Sequence, residues 1–119
     1  MNLLVGVEVE ETETFTRAVK KLQKRFKNIK TDCDKFIDEI NTTDDLGIHL
    51  GEGIYKVRIT NTNKNRGKSS GYRLISYLKL IDKKLYLMYV YDKSDIANIS
   101  EKEIDTLVKK TTLEANKIS

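Results

Sequence analysis

Between residues 54 and 81 the chain carries Lys56, Arg58, Lys64, Arg66, Lys68, Arg73 and Lys79, and not one Asp or Glu. Lys56 and Arg58 stand two apart, a spacing that puts both side chains on one face of an extended strand. A neighbouring strand of opposite parity that offers Arg73, Tyr77 and Lys79 to the same face gathers the cations of both. Like charges packed this closely raise one another's energy and favour loss of a proton from a lysine, so such a cluster signals an anion to be bound. The anion suited to a whole basic stretch is a polyanion such as nucleic acid. The plain alternative is a solvated strand face with no ligand.

The rest of the chain does not share this charge. Residues 1–53 sum to −3 and residues 82–119 to zero, so the formal net charge of +4 averages a mildly acidic first half, a basic centre and a neutral tail. The loop at 65–71, Asn-Arg-Gly-Lys-Ser-Ser-Gly, does not fit a phosphate-cradling P-loop. Thr62 stands where that pattern needs its first glycine, and the loop joins two strands instead of a strand and a helix. A basic hairpin tip tracking a nucleic-acid backbone through Lys64, Arg66 and Lys68 suits it better. The one His and one Cys cannot build a zinc site by themselves, so no metal or other cofactor is expected. Cys33 reads as a small core residue. Tyr55 and Tyr89 have the parity of core residues, whereas Tyr72, Tyr77 and Tyr91 are placed to face a ligand.

A length of 119 residues with 39% hydrophobic content points to a single globular domain spanning 1–119. No apolar run is long enough to cross a bilayer, residues 1–6 are too short for a signal sequence, and the lone cysteine excludes a disulfide framework, which together favour the cytoplasm.

The elements that must position the cations follow from periodicity. Residues 3–10 alternate as a strand. Phe15, Ala18, Val19, Leu22 and Phe26 form the apolar stripe of a helix capped by Thr14 or Thr16 and ending near Asn28. A second helix starting at Thr31 or Asp32 carries Cys33, Phe36, Ile37 and Ile40. Residues 41–45 and 47–53 are turn-rich. Strands are expected over 54–60, 72–81 and 85–91, with a polar connection at 61–71, a hairpin turn at 82–84 and the last strand in the middle of the sheet. Ser100 and Glu103 form a capping box ahead of Ile104, Leu107 and Val108, marking a terminal helix. The order β-α-α-β-β-β-α predicts an α+β fold, a small and mainly antiparallel sheet with helices on one face.

Three segments, Gly53-Ile54-Tyr55-Lys56-Val57-Arg58, Gly67-Lys68-Ser69-Ser70-Gly71-Tyr72-Arg73-Leu74-Ile75 and Leu87-Met88-Tyr89-Val90-Tyr91-Asp92-Lys93-Ser94, together resemble the RelE/HigB-type toxins of bacterial type II toxin–antitoxin systems, within the RelE/ParE superfamily. The resemblance implies a RelE-like fold and an mRNA interferase: a metal-independent endoribonuclease, often acting on ribosome-bound message and neutralised by a cognate antitoxin. It implies attack of a ribose 2′-OH on the adjacent phosphate, with Lys56 as general base and Arg58 and Arg73 offsetting charge on the non-bridging oxygens. Lys93 or Tyr91 would serve the leaving 5′-oxygen, because some relatives use a C-terminal tyrosine as general acid and no Tyr or His follows Tyr91 here. Lys64, Arg66, Lys68, Tyr72, Tyr77 and Lys79 would bind RNA. The loop also departs from the family's Ser-Gly-Gly in reading Ser69-Ser70-Gly71. Two other readings stand beside this one: a ParE-like toxin that inhibits DNA gyrase without nuclease activity, and a non-catalytic RNA-binding module.

Overall fold

The computed structural model describes residues 4–64 and 70–118. Among them, five strands form one sheet: β1 (Glu8–Glu11), β2 (Ile48–Gly51), β3 (Ile54–Ile59), β4 (Tyr72–Lys79) and β5 (Lys84–Asp92), in the order β1-β5-β4-β3-β2. β1 runs parallel to β5, and every other pairing is antiparallel. The helices are α1 (Glu13–Gln23), α2 (Ile29–Glu39) and α3 (Glu101–Ile118). This is the expected α+β architecture. No helix among the described residues is long and apolar enough to cross a membrane.

The sheet departs from expectation at one edge. The turn-rich stretch 47–53 contains β2, which pairs with β3 from Ile48↔Lys56 onward. Gly47 makes that approach possible: its φ is +91°, and a Cβ there would stand 2.2 Å from the Lys56 carbonyl oxygen. The strand nearest the middle of the sheet is therefore β4, with β5 between it and β1.

Helices cover both faces of the sheet, not one. Leu74, Leu78, Leu85, Leu87 and Val90 pack with Phe15, Leu22, Ile29 and Cys33 of the α1–α2 layer. Ile75, Tyr86, Met88 and Tyr91 pack with Leu107 and Val108 of α3. The cause is visible in β4 and β5, which are apolar at both parities: a strand of that kind must be covered twice. The expected one-sided layer holds for α1 and α2, and α3 supplies the second.

Helix boundaries shift by a few residues for local reasons. α1 is capped by Thr12, whose hydroxyl accepts the Phe15 N–H and donates to the Leu87 carbonyl, so the cap also fastens the helix to β5. α1 ends at Gln23 and α2 starts at Ile29, because the intervening turn buries Phe26 in the core. The Ser100–Glu103 capping box forms as expected and opens α3.

Candidate nucleic-acid interface and active site

Register decides which cations meet. Arg58 on β3 lies directly opposite Arg73 on β4, which lies directly opposite Tyr91 on β5. One row away Lys56, Ile75 and Tyr89 form the next file, and Ile54, Tyr77 and Tyr86 a third. The Ile59 carbonyl faces the β4 side, since a Cβ on Gly71 would meet its oxygen at 2.2 Å. Arg58 and Arg73 are therefore a non-hydrogen-bonded pair, the type in which Cα atoms come within about 4.5 Å and side chains crowd most. Like charges placed so are destabilising by themselves.

Tyr91 reaches this row through a bulge. Ile75 pairs with Tyr89 but Ser76 pairs with Leu87, so Met88 is an extra residue in β5. That residue reverses the parity of everything after it and moves Tyr91 to the face of Arg73. The backbone of Ile99, ahead of α3, lies near the Tyr91 phenol.

The row differs in exposure. Arg58 is exposed and Lys56 half-buried, while Arg73 is 6% and Tyr91 3% accessible. Burial first, and then the charge of Arg58, push the Arg73 guanidinium below its ordinary value against the pull of Tyr91 and Asp92. It remains a cation, and one of its N–H groups donates to the Tyr72 carbonyl at 3.2 Å. Burial raises the Tyr91 phenol above its usual range, although Arg73 draws it back, so at neutral pH this group holds its proton. Among the described residues neither Lys56 nor Arg58 has a carboxylate at ion-pair distance. Lys56 also borders a groove of about 450 Å³ whose walls include Glu52, Glu101 and Asp105. Those carboxylates make that side of Lys56 unfavourable to an anion.

Several expected RNA contacts take other positions. Tyr72 is fully buried against the α1–α2 layer, edge-on to Phe26, because its parity is opposite to that of Arg73. Tyr77 shares the face of Arg73 but stacks with Tyr86 beneath the α3 layer. Lys79 is paired with Asp82 at 3.0 Å, about 20 Å along β4 from Arg73. Lys64 donates to Asp92 at 2.6 Å and sits over the Phe26 ring, so it anchors the root of the basic loop instead of tracking RNA. Lys93, just past β5, donates to the Ala97 carbonyl at 2.9 Å. Arg66 and Lys68 lie outside the described residues.

The carboxylate that captures Lys64 escaped sequence reasoning. Asp92 is fully buried and also accepts from Asn61 and Ser94. Burial pushes its carboxyl up, but the hydrogen bonds from Lys64, Ser94 and Asn61 outweigh that and hold it below the usual carboxylate range. A lone Asp closing an otherwise apolar strand was the available signal, since such a charge must find a cation. Among the described residues no three His, Cys, Asp or Glu side chains gather to hold a metal.

None of the curated proteins matches the chain. Among solved structures the isolated RelE toxin of E. coli is similar, with 15% identity over 87% of this chain and 97% of that one and a TM-score of 0.48. The model of the family described as "RelE toxin of RelE / RelB toxin-antitoxin system" matches residues 8–118, nearly the whole chain. The chain with two arginines set face to face across β3 and β4 belongs to the RelE toxin family of toxin–antitoxin systems.

Proposed function

We propose that this toxin is an mRNA interferase, an endoribonuclease that cleaves message by internal attack of a ribose 2′-OH. The observation that carries the reading is the Arg58–Arg73 pair. Two guanidiniums held opposite each other, with no carboxylate among the described residues at ion-pair distance from Arg58, are costly until an anion bridges them. A phosphodiester lying over that pair has Lys56 on one side and Tyr91 on the other, two strand spacings across and one row along, roughly 12 Å apart in the backbone. That separation suits a base and an acid flanking one phosphorus. Lys56 takes the 2′-OH proton as the O2′–P bond forms. The arginines offset charge growing on the non-bridging oxygens. Tyr91, protonated because it is buried, donates to O5′ as the P–O5′ bond breaks, leaving a 2′,3′-cyclic phosphate and a 5′-OH. Lys93, tied to Ala97, serves as a nearby positive charge.

Family membership implies an antitoxin partner. The test is induced expression followed by mapping of transcript ends, together with incubation of the purified toxin and end-labelled RNA. Cyclic-phosphate ends that appear with the wild type and disappear with Arg58→Ala support the reading. Intact transcripts with accumulated gyrase–DNA complexes move the protein to the gyrase-poison class, and RNA bound but uncut leaves a binding module.

A further inference from the structure

Tyr91 and Arg73 stand in the row proposed to hold the phosphate, yet both are buried. A proton donor must come within about 3 Å of the oxygen it serves, which no substrate atom achieves while the phenol is enclosed. Two kinds of cover lie on this face. α3 is the firm one: Ile104, Leu107 and Thr111 are buried along it, and the Ser100–Glu103 capping box fixes its start. The other is the connection from β5 to α3. Its near end is anchored, because the Ser94 N–H and hydroxyl both donate to the buried Asp92 carboxylate. Between Ser94 and the cap, residues 95–99 form neither helix nor strand. Ile96 and Ile99 are half-buried and pack against the apolar cluster that contains Tyr91, and the Ile99 backbone lies near its phenol. Ala97 and Asn98 are exposed. Asp95 pairs with Arg25, in the turn after α1, at 3.0 Å and largely open to solvent. The Ala97 carbonyl accepts from Lys93 at 2.9 Å. Asp95 and Ile96 also border, with Tyr89 and Tyr91, a groove of about 300 Å³ against α1.

We infer that residues 95–99 are a strap that closes the active row in the free toxin and lifts, with α3 still docked, to let RNA reach Tyr91 and Arg73. This rests on the ribonuclease reading and adds to it the gating of the site. The contacts that hold the strap are of the kind that break locally: two half-buried side chains, one exposed ion pair and one hydrogen bond. Lifting it also releases the Lys93 ammonium from the Ala97 carbonyl. RNA touches Arg73 only in the open form, so its binding shifts the population toward that form.

Locking the strap tests this on the full chain. In an Arg25→Cys/Asp95→Cys protein, a bis-methanethiosulfonate with a two-carbon spacer bridges the two thiols through disulfides that a reductant removes. Cys33 stays unmodified, since it is buried and burial pushes its thiol up to about 12. The bridged protein should cleave end-labelled RNA at least about 100-fold more slowly than the reduced form. Its affinity for 2′-O-methyl RNA, which cannot be cleaved, should fall about 10- to 100-fold through loss of the Arg73 contact. Reduction should restore both, and capping each cysteine singly with methyl methanethiosulfonate should leave both intact. In the free protein, Arg25→Ala and Asp95→Ala should each raise amide hydrogen exchange over 95–99 about two- to fivefold, with α3 unchanged. These variants change net charge in opposite directions, so a shared effect reports the lost pair and not the charge. Equal activity of bridged and reduced forms, or unchanged exchange in both variants, overturns the strap and leaves the ribonuclease reading standing. If bridging reversibly weakens binding of uncleavable RNA while ordinary RNA stays intact in every form, the strap stands and the nuclease reading falls.

Discussion

Arg58 concentrates the functional argument in one side chain, because it is exposed, opposed by Arg73 and unpaired with any carboxylate among the described residues. Its removal should cost little in folding, within about 0.5 kcal/mol for a surface position. It should nonetheless lower kcat on RNA by about 10²- to 10³-fold, the loss typical when one donor to a developing oxyanion is removed. Thermal melting and single-turnover cleavage separate the two effects, and a wild-type rate for a folded Arg58→Ala would remove the site. Asp92 makes the opposite prediction. Its carboxyl is held below the ordinary range in the fold, so the stability it contributes is present above the unfolded-state value near 3.9 and is lost as pH falls through the lower folded value. Asp92→Asn should therefore destabilise at neutral pH by about 3–5 kcal/mol, the scale for breaking a buried pair. It should also flatten the acid limb of a denaturation-versus-pH curve. A limb of unchanged steepness would mean that other carboxylates dominate acid unfolding.

At the scale of elements, the Thr12 hydroxyl bridges the start of α1 and the Leu87 carbonyl of β5. Thr12→Val keeps the shape but removes both bonds, and urea denaturation should show a loss of about 1–2 kcal/mol. Ser76, opposite the bulge, has a buried hydroxyl with no partner among the described residues. Ser76→Ala is accordingly expected to leave the melting temperature unchanged or raise it, and a clear drop would reveal a bond to that oxygen. These two positions also mark where sequence reading stopped. Alternation on β3 and β4 was legible, and it placed Lys56, Arg58 and Arg73 on one face as the register then showed. The Met88 bulge was not, because an all-apolar strand carries no period to mark an inserted residue; Tyr91 reads from the sequence only as a residue facing a ligand, and its seat beside Arg73 follows from the bulge. Thr14 and Thr16 both match a cap by residue type; Thr12 is the one that reaches β5. The terminal helix was legible from its capping box, yet its face was not, since amphipathicity says that a stripe is buried without saying against which side of a sheet.

Across the whole molecule, the +7 centre of the sequence is smaller as a free charge than as a count, because the fold neutralises part of it. Lys64 is spent on Asp92 and Lys79 on Asp82. On the ribonuclease reading, the charge left to meet RNA is that of Lys56 and Arg58, the buried Arg73, and the loop residues Arg66 and Lys68 that the sequence supplies. On the same reading, the acidic walls around the groove beside Lys56 close one approach and leave the side of Arg58. Counterion release turns this division into a measurement. Each phosphate neutralised on a single strand contributes about −0.7 to the slope of log K against log salt, so Arg58, Arg73, Arg66 and Lys68, counted apart from the base Lys56, give about −3. Arg58→Ala should make the slope shallower by about 0.7, measured with uncleavable RNA between about 50 and 200 mM salt. Lys79→Ala changes the formal charge by the same unit but takes it from an ion pair about 20 Å away along β4. Its slope should match that of the wild type. Equal shifts in the two variants would mean that RNA responds to net charge alone, with no bound register over the Arg58–Arg73 pair.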